Sequence, residues 1–493
     1  MKNIEISKLP ESWEKCEVNE IGDLIRGVTY KKNESSKTTL DNYLPILRAN
    51  NINMSLNFDE LVYVPIEKIK PEQIVKKFDV IIAMSSGSKH LVGKAAQAKE
   101  DFNGGFGTFC GLVRFNEKID QQYAGYFFQS PFYQKLIQSL SSGVNINNLR
   151  KEHIENLEIP IPPLNEQKRI VIKIEELFTR LDAGVSELEK TKEQLKVYHQ
   201  SLLKHAFEGK LTQEWRKAHK DELEPASELL ERIKEKHKEQ LGKTYKRLTS
   251  VDKSKLPELP EGWEWAAFGQ IGALISGQHI KTADYNIDSV GLPYLTGPAD
   301  FNEKYPSISK WTTKPKAKSI KNDVLVTVKG AGVGKVNILN IDEAAISRQL
   351  MAIRAYETNF DFIYLFIKTN FYYFQRLGSS TTVPGINRDQ ILNTFIPLPS
   401  KMEQDQIIDV IDEKLSVLYE ISKNIDMNLV LFKNLRQSIL KKAFMGELIP
   451  QDPNDEPAKL LLERIRDEKE KQKPKRKRRT RKKKVRSSQE VLM

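Results

Sequence analysis

Leu9-Pro10-Glu11-Ser12-Trp13-Glu14, followed by Ile21-Gly22-Asp23-Leu24-Ile25-Arg26-Gly27, is written a second time as Leu259-Pro260-Glu261-Gly262-Trp263-Glu264 and Ile271-Gly272-Ala273-Leu274-Ile275-Ser276-Gly277, 250 residues on. Working outward, Ile159-Pro160-Ile161-Pro162 with Glu166-Gln167 returns as Ile396-Pro397-Leu398-Pro399 with Glu403-Gln404, at an offset of 237. Ser201-Leu202-Leu203-Lys204, Ala206-Phe207 and Gly209 return at the same offset as Ser438-Ile439-Leu440-Lys441, Ala443-Phe444 and Gly446. Glu224-Pro225-Ala226 with Leu229-Leu230-Glu231-Arg232-Ile233 returns as Glu456-Pro457-Ala458 with Leu461-Leu462-Glu463-Arg464-Ile465, 232 residues on. Solenoid units run about 20–50 residues, so this period marks a duplicated domain pair. Two similar halves can make a pseudo-two-fold object suited to a target with two ends.

Each half reads as a mixed α/β globular part, roughly 1–160 and 250–400, followed by a long helix. Strand-like runs such as Phe78-Asp79-Val80-Ile81-Ile82 and Asp323-Val324-Leu325-Val326-Thr327-Val328 alternate with helix-like stretches at Ala124 to Ser139 and Phe362 to Arg376. The fall in offset makes the second globular part 13 residues shorter. Outside the matching blocks the interiors diverge, so each part can read something different.

From Asn165 to Phe207 the chain has no proline, and Ile174, Leu181, Leu188, Leu195 and Leu202 recur every seven residues. Ile411, Leu418, Ile425, Phe432 and Ile439 repeat the series. A sustained seven-residue apolar spacing predicts a coiled coil. The expected companion rows, Ile170, Leu177, Gly184, Thr191, Tyr198 and Ile407, Lys414, Ile421, Asn428, Leu435, are mixed. The alternative is a pair of amphipathic helices packed on their own globular parts. Gly209 and Gly446 are helix stops. A charged surface helix is expected over Asp221 to Lys246, and its copy opens at Glu456.

The net charge is +12, and Lys471 to Arg486 alone holds twelve Lys or Arg and no acid, so the rest of the chain is close to neutral. Dense like charge with few apolar residues predicts a disordered tail. Two cysteines, Cys16 and Cys110, form no disulfide framework and fit a reducing cytoplasm. No apolar run approaches the roughly 18 residues of a membrane span, so a soluble intracellular protein is expected.

Catalytic signatures fail one by one. Gly330-Ala331-Gly332-Val333-Gly334-Lys335-Val336 lacks the spacing and the Ser/Thr of a phosphate loop and reads as a glycine-rich turn. Pro162-Pro163 is followed by Leu164, not by the aromatic residue of an amino-methyltransferase tetrapeptide. Seven scattered histidines make no zinc pattern. What remains is binding. Polar loops carry side chains able to meet base edges, Arg and Lys on guanine, Asn and Gln on adenine. In the first part these are Arg48, Asn50, Asn51, Ser86, Lys89, His90, Asn145, Asn147, Arg150 and Lys151; in the second, Lys329, Lys335, Arg348, Gln349, Thr381, Thr382, Asn387 and Arg388. Any such loop alone also reads as solvated surface.

The order and double occurrence of these motifs resemble the DNA-specificity subunit of type I restriction-modification systems, over residues 9–470. The basic tail departs from that pattern. The resemblance implies an α+β chain with target-recognition domains at 1–160 and 251–397 and conserved helices at 161–210 and 398–447 that pair as an antiparallel coiled coil. A charged helical linker at 211–250, a charged helix at 448–470 and the basic tail at 471–493 complete it. It further implies that each domain reads one half of a bipartite site in double-stranded DNA and that the helices set the gap. Two methyltransferase subunits and motor-nuclease subunits would dock on this chain. S-adenosylmethionine, ATP and Mg would be bound by those partners, with no cofactor, metal or catalytic residue here. Two other classes stay open: an enzyme with its catalytic domain in this chain, and a coiled-coil scaffold with no DNA role.

Overall fold

The computed structural model describes residues 9–87, 91–141, 148–241, 256–379 and 384–472. The chain divides into two compact units, Met1–Glu187 with Met427–Met493, and Leu188–Asp426. The division falls inside both long helices, whereas the sequence boundaries fall at their ends.

The first unit's head is built on a four-stranded antiparallel sheet in the order Gly22–Arg26, Cys110–Phe115, Val80–Ala83, Ala95–Gln97. The β-branched run Val80-Ile81-Ile82 is wholly buried, as a strand covered on both faces requires. The second unit repeats this sheet as Gly272–Ser276, Leu350–Ala355, Val324–Thr327, Val336–Ile338. Arg114 on Asp79 (2.6 Å) and Arg354 on Asp323 (2.9 Å) are equivalent ion pairs on the two sheets. The outer sheets differ: three strands in the first head, five in the second. The framework is therefore shared and the periphery diverges.

Besides shorter helical turns, each head carries two longer helices: α1 (Gln121–Phe127) and α2 (Pro131–Ser141) in the first, with counterparts in the second. The continuous helix expected from Ala124 is broken at Pro131, whose ring has no amide hydrogen and cannot sit in a helix interior. Asp120 caps α1 by accepting from the amides of Gln122 and Tyr123. Then come α3 (Leu164–Phe207) and α4 (Ala226–Leu241). The second head carries α5 (Phe360–Thr369), capped by Asn359, and α6 (Phe371–Gly378). Finally α7 (Lys401–Met445) and α8 (Ala458–Gln472) follow. The stretch from Phe362 to Arg376 is thus also two helices. The basic run from residue 473 onward lies outside the described residues. No helix among them is long and apolar enough to cross a membrane.

Within each unit the segments of α3 and α7 run antiparallel. In the first, Arg436 pairs with Asp182 and lies 4.1 Å over the Phe178 ring. In the second, Lys192 Nζ lies 2.5 Å from Asp426. All ten residues of the seven-residue series are buried or half-buried. On α7 the companion row is one residue off, whereas on α3 Leu177, Gly184 and Thr191 are half-buried as expected and only Tyr198 stands out. Tyr198, Ile421 and Leu435 are 49%, 39% and 44% exposed. Phe178, Val185, Lys192, His199 on α3 and Leu415, Ser422, Leu429, Arg436 on α7 form a contact row that is buried or half-buried throughout. The alternation of three and four steps runs forward from the shared row. On α7 Ile407 is apolar for another reason: it belongs to the head core.

Candidate functional site

Four recurring motifs converge on one junction in each unit. In the first, the Trp13 indole N–H donates to Glu166 Oε2 (3.0 Å), at the start of α3. The neighbouring Gln167 accepts from the Asp120 amide (2.8 Å) and donates to the Pro162 carbonyl (2.8 Å). This fixes the head's helices to α3. Phe444, near the end of α7, packs on Tyr123 and Phe127 with ring centroids at 5.0 and 5.5 Å. Gly446 stops α7 at φ +73°, and a Cβ there would lie 2.5 Å from Pro10. The Ala458 amide then donates to the Ser12 carbonyl (3.0 Å), seating α8.

The second unit repeats each contact with the repeats exchanged. Trp263 donates to Glu403 (2.8 Å), and Gln404 accepts from the Asn359 amide and donates to Pro399. Phe207 packs on Phe362 and Phe366, Gly209 faces Pro260, and the Ala226 amide donates to the Gly262 carbonyl. Each junction therefore joins the entry motifs of one repeat to the exit motifs of the other, as antiparallel helices require.

At one end of each four-stranded sheet three loops meet. In the first head the Leu149 amide donates to the Met84 carbonyl (2.6 Å), Ser85 bridges Asn148, and the Ser85 amide donates to Phe109 (3.0 Å). In the second, the Ile386 amide donates to Val328 (2.8 Å), Lys329 bridges Gly385, and the Val328 amide donates to Gln349 (2.8 Å). Equivalent positions carry different side chains: Phe109 against Gln349, Ser85 and Ser86 against Lys329 and Gly330, Arg150 and Lys151 against Asn387 and Arg388. Phe109 is 66% exposed and was not legible as a site residue, because an aromatic in a glycine-rich stretch reads as core.

The sequence candidates sort accordingly. Ser86, Arg150 and Lys151 gather in the first cluster, Lys329, Gln349, Asn387 and Arg388 in the second, with Arg348 exposed beside Gln349. Lys151 is paired with Glu155 (2.9 Å), Asn387 caps a short helix through the Gln390 amide, and Arg388 donates to the Leu274 carbonyl (2.6 Å). Asn50 is exposed, but Asn51 is 1% exposed, accepting from the Arg48 amide and donating to the Asp59 carbonyl. Arg48 Nη2 donates to Glu60 (2.9 Å). Arg48, half-buried, and Asn51, buried, thus hydrogen-bond within their own loop, and the burial of Asn51 makes it a loop support. Lys335 is exposed on the turn after Gly334, whose φ of +87° bears out the turn reading of that glycine-rich stretch. Lys89, His90, Asn145, Asn147, Thr381 and Thr382 lie outside the described residues. Cys16 and Cys110 are buried free thiols, and burial pushes that of Cys110 up to about 12.

The family model of the type I restriction modification DNA specificity domain matches twice, over residues 10–196 and 260–429. The StySPI specificity subunit of Salmonella potsdam is 30% identical over 94% of this chain and 96% of its own length. The EcoKI specificity subunit of Escherichia coli K12 gives the same figures. Among solved structures, the HsdS subunit from Thermoanaerobacter tengcongensis aligns with a TM-score of 0.57 and 22% identity over 90% of this chain and 98% of that one. A chain from a study of type I R-M complex assembly and conformational transition aligns with a TM-score of 0.63, also at 22% identity, over 90% and 100%. With the family model covering most of both repeats, the chain belongs to the type I restriction-modification DNA specificity subunits.

Proposed function

We propose that the two heads read the two halves of a bipartite site in double-stranded DNA, and that the chain assembles methyltransferase and motor-nuclease subunits without catalysing a step itself. The observation that carries this reading is the pair of three-loop clusters: one backbone frame, built twice, with different side chains at matching places. Two readers of different sequences need that combination, since base identity is met by side-chain chemistry. The junctions fix each head to the helices, so the helices can set the gap between half-sites. Exposed apolar side chains on α7, Val417, Tyr419 and Ile421 in one unit and Met427, Val430 and Leu431 in the other, offer surface for docking partner subunits. S-adenosylmethionine, ATP and Mg belong to those partners in this reading. Replacing residues 1–160 by the corresponding domain of another such subunit should change one half of the methylated sequence. Mapping methylated sites in cells carrying the chimera tests it, and a change in both halves would refute independent readout.

A further inference from the structure

The heads differ where their loops meet, yet a second set of residues, part buried and part exposed, recurs with conservative changes. Phe132-Tyr133-Gln134-Lys135-Leu136 on α2 returns as Tyr373-Phe374-Gln375-Arg376-Leu377 on α6, and Gly93-Lys94 returns as Gly334-Lys335, all at an offset of 241. The structure joins the two motifs in both heads. Gly93 (φ +82°) accepts from the Tyr133 hydroxyl (2.8 Å), and a Cβ on it would overlap Ile137 of α2. Gly334 (φ +87°) backs onto Phe374 and Phe371 of α6. The Ala83 amide donates to the Lys94 carbonyl and the Thr327 amide to the Lys335 carbonyl, at 2.9 and 2.8 Å. Each head thus holds a lysine on a glycine turn and a cation on the helix packed against that turn.

The four cations have another property in common. Arg114 and Arg354, also repeated, are consumed by Asp79 and Asp323. Lys94, Lys135, Lys335 and Arg376 have no ion-pair partner among the described residues. The Lys94 ammonium meets only the neutral Asn53 Oδ1 (3.2 Å). The recess of about 380 Å³ that Lys94 lines with Gln129, Gln134 and Asn53 contains no carboxylate. On the second head Tyr372, Gln375, Arg376 and Ser379 line a recess that is also free of carboxylates; Lys135 and Lys335 lie outside the two recesses, on the same helix and the same turn as residues flanking them.

We propose that Lys94 with Lys135, and Lys335 with Arg376, are the phosphate clamps of the two heads, gripping the DNA backbone irrespective of sequence. The inference rests on the DNA-reading function above and separates two jobs within it. Heads that read different bases need different base readers, but every half-site presents the same phosphates, so the clamp is the part that stays constant. A phosphate contact carries no sequence information and contributes to the salt dependence of binding.

The test uses the full chain with Lys94→Gln/Lys135→Gln and, separately, Lys335→Gln/Arg376→Gln. Binding to a random-sequence duplex is titrated between 0.05 and 0.2 M salt, and bound sequences are selected from a random pool. Each pair should lower the slope of log affinity against log salt by about 1.8, so that over this range the wild type gains about 12-fold more on dilution than the variant. The selected sequence should not change, and Lys94→Arg/Lys135→Arg should restore the slope. An unchanged slope in both variants, or a changed base preference in one half-site, would overturn the clamp assignment. A wild-type chain that binds no duplex would instead overturn the DNA reading itself.

Discussion

The two junctions use the same four motifs but treat their buried glutamate differently. Glu403 and Glu166 are each 1% exposed, and each accepts a tryptophan indole. Glu403 also accepts from the Thr212 hydroxyl (2.6 Å) and pairs with Arg216 (2.7 Å), whose guanidinium lies over the Trp263 ring. Glu166 has no such cation among the described residues. The Gln451 amide meets it at 3.2 Å, and the nearby Arg169 turns away to Asp455 at 2.6 Å. The segment after each helix exit decides the difference: Thr212 and Arg216 follow Gly209, while Gln451 follows Gly446. One geometric joint can therefore set its carboxyl against a cation in one copy and without one in the other, because only the indole–carboxyl geometry is demanded by the fold.

The largest predicted effect separates the two. Glu403→Gln keeps an acceptor for Trp263 but strands Arg216, whose side chain is 15% exposed. Removing one partner of such a buried pair costs about 3 kcal/mol or more. Glu166→Gln removes no cation's partner and should cost under about 1 kcal/mol, the value of an ordinary hydrogen bond. Thermal unfolding of both variants measures this, and equal destabilisation would erase the distinction.

Matched positions on the helices extend the comparison. Leu188 and Ile425 sit 237 residues apart in the same series, yet Ile425 is buried and Leu188 only half-buried. Ile425→Ala should cost about 2–4 kcal/mol and Leu188→Ala clearly less. Ile421→Ala should be close to neutral. Urea midpoints rank the three, and a large effect at Ile421 would restore the original companion row.

That row shows where the sequence ran out. The repeat, the mixed α/β heads and the seven-residue series are legible because periodicity and motif order are local properties. The companion row was legible on α3 but not on α7, since Ile407 is apolar for its head's sake and copied that signal into the helix pattern. The motifs were visible as markers, but their meeting across repeats was not, because antiparallel pairing brings residues such as Pro10 and Gly446 together from opposite ends of the chain. Asn51 reads as a base-edge candidate because composition cannot distinguish a loop's own hydrogen bonds from those it offers to a ligand.

The parts that the junctions share should respond alike. Gly209 and Gly446 have φ of +69° and +73° and face Pro260 and Pro10. A side chain in the left-handed region costs about 1–2 kcal/mol, and the close proline adds to it. Gly209→Ala and Gly446→Ala should therefore destabilise their units by similar amounts in thermal unfolding. A twofold disparity would show that the proline contact, and with it the joint, differs between copies.

The smallest effect is one of pH, and it belongs to the first junction. Burial, more than anything else, pushes the Glu166 carboxyl above its usual range; hydrogen bonds from Gln451 and Trp13 and the charge of Arg169 oppose it, and Asp455 adds to it. A carboxyl whose folded pKa is raised binds its proton more tightly in the folded state. Its stabilising contribution is thus complete below the unfolded value, about 4.3, and is lost as pH rises through the folded one. The first junction should loosen over that window and change no further above it. Hydrogen exchange in peptides covering Trp13 and Glu166, corrected for the intrinsic pH dependence of exchange, follows the opening directly. Glu166→Gln, which carries no proton to lose, should flatten the profile. If wild type and variant show the same slope, the titrating group lies elsewhere and the contrast between an ionic and a protonatable joint fails.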